Sequence, residues 1–455
     1  MTVDNTMAMR RSPSKGLSNG IRSAKPHLSM WVVLFIVGLI VPLFMYVGPL
    51  RLSAYRIILL LMFFPLLYML LSGKVGRIRL PDICVILICL WSSISLVVVH
   101  GLSSMFETIG ILWVETLGAY LVSRCFIRTP DDFFALARLL FRIGVFMVPF
   151  AVYELLTGTN ILLKAFDNVG AVYSTVIKEP RLGLQRVQGP FAHQIHFGVF
   201  FGAIIGLIYF VVGYGRRWIW RVQRSAVCLF LCFAALSSGP LTAATAQIYF
   251  LLWNGALKTV KSRWYILAGL SILAYIVVDI ISNRTPFHVF ISYFAFSEHT
   301  AYNRIHIWIY GTQSIWENPL FGIGLNDNWS RPWWMSPSAD MFWILPAMRH
   351  GVAVWVLWFL LFLGVFLKVA NRNGFGKRTQ WYRMGYLCSM SGLFIAGWTV
   401  HFWDALYAFF MFLLASGIWM LDWDDSDKND DPTLLKEKAP SEHPELGYTR
   451  FPHQL

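Results

Sequence analysis

Between Trp31 and Leu421 the chain returns repeatedly to uninterrupted apolar runs close to 20 residues long, with few charges inside them. A soluble helix carries one apolar face and a soluble strand alternates residue by residue, whereas these runs do neither, so their solvent is hydrocarbon. In hydrocarbon every backbone N–H and C=O must be satisfied within the segment or by closing a barrel. Runs that do not alternate two by two satisfy them as helices, which predicts an all-α membrane protein. Composition agrees, with 57% apolar, 16% aromatic and only 14% charged residues, a balance foreign to soluble domains.

Taken in order, the runs predict crossings at 30–48, 53–72, 82–100, 107–124, 139–157, 193–213, 225–238, 240–257, 264–282, 341–367, 384–400 and 402–421, about twelve (ten to twelve) transmembrane helices. The 225–238 run is short, and Ser237-Ser-Gly-Pro-Leu-Thr between it and the next reads either as a tight external hairpin or as a re-entrant turn buried in protein. Charge sets the orientation. Of the 38 Lys and Arg, 28 fall in the two tails and in the connections 73–81, 124–142, 214–224, 258–263 and 368–383, and the other ten are spread over much longer loops on the opposite side. Basic residues mark the cytoplasmic side, so both termini are expected there, in a multi-pass membrane protein. The net charge of +14 is read as this topology signal and not as a nucleic-acid footprint;. Residues 1–29 read as an uncleaved cytoplasmic tail, 30–421 as one membrane domain and 422–455 as a second tail, both tails too polar to fold;. The six cysteines (Cys84, Cys89, Cys125, Cys228, Cys232, Cys388) form no CxxC pair. Cys228 and Cys232 would share a helix face, where buried packing is favoured over a ligand pair.

Two external loops, 158–192 and 283–340, are long in a chain whose other connections are short, and long ordered loops carry function. The first ends Arg181-Leu-Gly-Leu-Gln-Arg186-Val-Gln-Gly-Pro-Phe-Ala-His193-Gln-Ile-His196 where a helix re-enters the membrane. Arginines there suit phosphate, being always charged and donating bidentately; each could equally bind lipid headgroups. In the second loop Ile305, Trp308, Ile309, Thr312 and Ile315 recur at helical spacing before Asn318-Pro319, which predicts an amphipathic helix lying on the membrane with Arg304 at its start;. Gly322 and Gly324 then permit a tight turn, and Trp329, Trp333, Trp334 and Trp343 suit either interfacial anchoring or stacking on sugars;.

In Arg186-x-x-Gly189-Pro-Phe191-x-His193, in Arg304-x-x-x-Trp308 followed by Asn318-Pro-Leu-Phe-Gly-Ile-Gly324, and in hydropathy over most of its length, the chain resembles the O-antigen ligase and polysaccharide polymerase superfamily. These are bacterial membrane glycosyltransferases of GT-C-like architecture that use undecaprenyl-diphosphate-linked glycans. Two departures are informative. The family pattern continues His-Pro-Asn where this chain has His193-Gln194-Ile195, and Asp340 stands where ligases carry a functional His late in the large external loop. The second tilts the resemblance from ligase to exopolysaccharide polymerase.

Attack of a sugar hydroxyl on an anomeric carbon expels a lipid diphosphate, whose growing charge needs fixed cations or a metal. The external loops hold no Asp-x-Asp pair, so the expectation is metal-independent catalysis without a cofactor. Arg186 and Arg304 clamp the diphosphate, with Arg181, His193, Gly322, Gly324 and Arg331 as further substrate-binding candidates. Asp340, or failing it Glu298, His299 or His193, would orient or deprotonate the acceptor hydroxyl; Asp340 could equally cap the following helix. The implied partners are the undecaprenyl-diphosphate-linked donor, a glycan acceptor, the bilayer and a chain-length regulator, with no nucleic acid. Two rivals remain open at this point. One is a ligase that shares the donor chemistry. The other is a flippase for the same lipid-linked glycans, against which the scarcity of charge inside the runs argues, Glu115 and Glu154 being among the few acidic groups there;.

Overall fold

The protein is described here from a computed structural model, covering residues 28–423 except Pro49, Lys178, Arg284, 287–288, 290–297 and Pro337. The two polar tails lie almost wholly outside the described residues. The chain is a bundle of helices: α1 (Met30–Ile40), α2 (Ala54–Leu71), α3 (Leu80–His100), α4 (Leu102–Phe126), α5 (Pro130–Thr157), the short α6 (Ile161–Asp167), α7 (Gln194–Val212), α8 (Trp218–Ala234) and α9 (Ser238–Ala256). It continues with α10 (Arg263–Ile281), α11 (Glu298–Glu317), the short α12 (Leu345–His350), α13 (Val352–Ala370), α14 (Lys377–Gly397) and α15 (Asp404–Asp422). Among the described residues eight of these, α2, α3, α4, α5, α7, α10, α13 and α15, are long and apolar enough to cross a bilayer. The protein is therefore an all-α membrane protein. The other four expected crossings are also helices but do not reach that measure: α1 is short, α8 and α14 open on basic turns, and α9 is rich in small and polar residues.

Two boundaries differ from the sequence expectation. The run 30–48 is not one helix: α1 stops at Ile40 and Leu43–Val47 (β1) turns back on Leu50–Ser53 (β2), with Ala171–Val172 (β3) pairing on the other side of β1. Pro42 explains it, since the residue before a proline is pushed out of the helical region. The run 341–367 breaks at Gly351, whose φ of +86° favours glycine and where a Cβ would lie 2.1 Å from the Leu320 carbonyl oxygen. Val352 donates its N–H to the Pro319 carbonyl at 2.8 Å, so this break ties the segment after α11 onto the long apolar helices.

Packing centres on α7 and α15, each nearly enclosed, with α13 along α3, α9 along α14 and the start of α15 against the end of α4. By contrast α10 buries no residue. Cys228 and Cys232 are buried, and Cys232 Sγ sits so close to Gly202 that a Cβ there would approach it to 3.0 Å. This is tight packing of the kind small residues allow between membrane helices.

The bundle has two chemically distinct ends. At one, the basic connections knit together: Arg124 pairs with the fully buried Asp82 at 3.2 Å, Arg378 with Asp131 at 2.5 Å, and Arg79 with Asp422. At the other end lie the breaks at 158–193, 235–237, 318–344 and 398–403 together with the small sheet. Near that end α4 carries a π turn over Val114–Gly118, and Glu115 within it accepts Arg56 at 2.8 Å and the Tyr55 hydroxyl at 2.5 Å. Arg56 and Arg51 both also reach Asp404, at 3.1 and 2.6 Å.

Candidate active site

The loop between α6 and α7 is fixed by one carboxylate. Glu154, in the last turn of α5, accepts the backbone N–H groups of Gln188 at 2.9 Å and Gly189 at 3.0 Å, and the Asn160 amide at 3.2 Å. Asn160 in turn donates to the Gly189 carbonyl at 2.7 Å, and Gln188 braces the loop through the Ser174 and Phe191 carbonyls. Gly189 has φ +56°, and a Cβ there would lie 2.7 Å from the Phe197 ring, itself buried against Phe191. This accounts for Gly189-Pro-Phe191 in purely local terms. Gly189→Ala, which sets a side chain in a left-handed backbone against that ring, is expected to cost about 1–3 kcal/mol and to lower the melting temperature of the purified protein. Upstream, Arg181 and Leu184 exchange backbone hydrogen bonds at 2.9 Å around Leu182 and Gly183, both with positive φ. That is the two-residue hairpin geometry whose twist suits flanking strands.

This scaffold directs arginines to a cavity of about 320 Å³ lined by Arg181, Arg186, His193, Arg304 and Asp340, with Thr399, His401 and Trp403 on the far wall. Each arginine is held by a carbonyl at a break in a helix. Arg181 Nη1 donates to Leu236 at 2.8 Å, Arg186 Nε to Ala235 at 3.3 Å and Arg304 Nε to Thr399 at 3.1 Å. Leu236 has φ +45°, a strained value for a branched side chain, in the break between α8 and α9;. The turn is Ala235–Ser237, with Ser238-Gly-Pro already the first turn of α9, and it is packed inside the protein: a Cβ on Gly239 would lie 2.6 Å from Val400 and one on Gly198 2.8 Å from Ala235.

The electrostatics invite an anion. Burial, and then the charge of Arg181, push Arg186 down to about 10, and the same two causes, partly offset by Asp340, bring Arg304 to about 10. Both remain cationic at neutral pH, and neither makes an ion pair among the described residues. Arg304 is buried and Arg186 half-buried, and a cation drawn out of water is stabilised by an anion that enters beside it;.

Asp340 lines the same cavity and accepts the Ser338 hydroxyl at 2.6 Å. It does not cap a helix: α12 begins five residues later with Ile344 at its N-cap and no side-chain cap. His193 caps α7, its Nδ1 accepting the Ile195 N–H at 3.1 Å. The side chains of Glu298 and His299 lie outside the described residues.

Other sequence candidates stand apart from this cavity. Gly322 and Gly324 both have φ +64° and serve packing: Ile323 and Gly324 donate to the Met348 and Arg349 carbonyls at 2.9 Å, and a Cβ on Gly322 would lie 2.4 Å from Met348 O. Arg331 donates to the Met335 carbonyl at 2.9 Å. Helix α11 does not present its expected apolar stripe as one face. Ile307 is fully buried, Gly311 packs on Met348 of α12 and Trp308 lies with its ring 6.0 Å from that of Trp398 in the turn after α14, while Ile309 and Trp316 are exposed. The four tryptophans divide: Trp329 and Trp343 are core, Trp333 and Trp334 exposed.

Sequence reading passed over Ser237, Ser238, Asn303, Thr399, His401 and Trp403, all of which line the cavity. The available signal was the polar interruption Thr399-Val-His-Phe-Trp-Asp404 between two apolar runs. His401 is notable: burial, and then Arg349, push its imidazole down to about 3, so it is neutral, and its Nδ1 is buried with no hydrogen-bond partner among the described residues. Trp403 stacks on His401 with ring centres 5.7 Å apart and meets His196 at 3.7 Å. Among the described residues no three His, Cys, Asp or Glu side chains gather as a metal site. Compared with models of known protein families and with curated proteins, the sequence matches none of them.

Proposed function

We propose that this chain is a bacterial inner-membrane glycosyltransferase that polymerises undecaprenyl-diphosphate-linked oligosaccharide repeat units, with its cavity at the periplasmic face. The observation that carries the reading is the meeting of Arg181 and Arg186 from one loop with Arg304 and Asp340 from another, in one cavity at the weakly basic end of the bundle. The substrate class comes from the resemblance of the two arginine motifs to the O-antigen ligase and polymerase superfamily. The concentration of Lys and Arg at the opposite end supports cytoplasmic termini and twelve crossings;.

In this reading Arg186 and Arg304 bind the diphosphate of the donor and stabilise the charge it gains as the bond to the anomeric carbon breaks. The acceptor hydroxyl oxygen bonds to that carbon, the diphosphate leaves with the electron pair, and the proton passes to the Asp340 carboxylate. The arginines take the part that a divalent cation plays elsewhere.

The test is transfer by purified protein in EDTA from a synthetic lipid-diphosphate repeat unit. Products lengthened by whole repeats are expected. Transfer to a different acceptor only would make the protein a ligase, and absence of product combined with movement of the lipid across proteoliposomes would replace the enzyme with a flippase.

A further inference from the structure

A second cavity, of about 260 Å³, adjoins the first and is lined by Asn326, Asp327, Ser338 and Arg349. Its character differs from that of the arginine cavity. An amide, a carboxylate, a hydroxyl and a guanidinium offer the mixture of donors and acceptors that sugar hydroxyls need, where the first cavity offers concentrated positive charge. Two features join the chambers. His401 lines both, and Ser338 in the second donates to Asp340 in the first at 2.6 Å. His401, the side chain common to both linings, has a buried Nδ1 with no hydrogen-bond partner among the described residues, an unfavourable state that a donated hydroxyl would relieve;.

We propose that the second cavity is the acceptor subsite, holding the terminal sugar of the acceptor glycan with one ring hydroxyl donating to His401 so that the attacking hydroxyl faces Asp340. This rests on the transferase reading. His401 is then a positioning residue: with its proton on Nε2 it accepts a hydrogen bond and takes no part in proton transfer. The chemistry is that of the preceding subsection, with the donor diphosphate in the arginine cavity and the acceptor entering from the 323–329 side.

Full-length protein in nanodiscs tests the assignment with two probes: the repeat-unit oligosaccharide freed from its lipid, and inorganic pyrophosphate. Asn326→Leu is expected to raise KM for the acceptor about 10- to 100-fold while leaving donor KM and inhibition by pyrophosphate within about two-fold, and His401→Gln to raise the acceptor KM to a similar extent. Arg186→Ala should do the reverse. Asp327→Asn and Ser338→Ala, milder changes in the same walls, serve if either variant fails to fold. Quenching of tryptophan fluorescence by the free oligosaccharide should disappear in the second-cavity variants and persist in Arg186→Ala. Donor and acceptor constants moving together, or neither moving, would overturn the subsite while leaving transfer intact. Wild-type protein that binds the oligosaccharide through Asn326 and His401 yet transfers nothing would retain the sugar site and overturn the transferase reading; loss of both binding and transfer would overturn both.

Discussion

Arg186→Ala and Arg304→Ala should each lower kcat/KM for transfer from a lipid-diphosphate donor by about 10²–10³-fold, the usual effect of removing one preorganised donor to a developing anion. The double variant should lose less than the product of the two. Both guanidiniums line one cavity and would act on the same diphosphate, so their losses are coupled and do not add;. Lysine at either site should recover only part of the loss, because it keeps the charge but not the planar fork. The pH profile carries a second signature. Burial holds both groups near 10, below the ordinary arginine value, so each is protonated below that pH and loses its proton above it. The alkaline limb of kcat/KM, which reports the free enzyme, should therefore fall near pH 10, and each single variant should alter it. A profile flat beyond pH 11, with transfer unchanged in either alanine variant, would remove the arginines from the mechanism.

The second large effect is expected far from any substrate. Glu154→Ala leaves the Gln188 and Gly189 N–H groups and the Asn160 amide without their acceptor in a buried site, a loss of about 3–5 kcal/mol. Glu154→Gln keeps one acceptor oxygen but turns an NH₂ toward the remaining donors, and should fall between wild type and alanine. Arg186 lies two residues from Gln188, so transfer should fall together with stability. Thermal melting and limited proteolysis between residues 158 and 192 measure the two variants directly. If Glu154→Ala melts like wild type, the loop owes its shape to something other than this carboxylate.

What could be read from the sequence follows from what each signal reports. Long apolar runs report burial in hydrocarbon, and that was enough for the helical class and the approximate helix positions. Arg181, Arg186 and Arg304 stood out because charged groups were otherwise scarce near the runs, and they do share a cavity with Asp340. The misreadings arose where hydropathy is blind to backbone. Leu43-Phe-Met-Tyr-Val is as apolar as a helix, so only Pro42 announced the strand. Gly322 and Gly324 were read as a tight turn, and their freedom serves a close approach to the Met348–Arg349 carbonyls, a partner separated from them in sequence. His401 escaped notice because its role depends on tertiary neighbours: Arg349, Trp403 and two cavities that no local pattern reveals. Glu154 was weighed as a membrane-embedded acid and turned out to be a clasp, because its partners are main-chain donors that any sequence could supply.

The junction of Arg51 and Arg56 with Asp404 has a consequence for biogenesis. The two arginines precede their shared carboxylate by 353 and 348 residues, so on the ribosome they emerge while their counter-charge is still untranslated. Glu115 relieves Arg56 early, but Arg51 finds its acidic partner only when the last helix arrives. A nascent chain is thus electrically incomplete until its final segment inserts, and the wall containing His401 and Trp403 is assembled in the same event. Charge balance at this junction and closure of that wall are therefore reached together, and a copy truncated before Asp404 would leave Arg51 without its carboxylate.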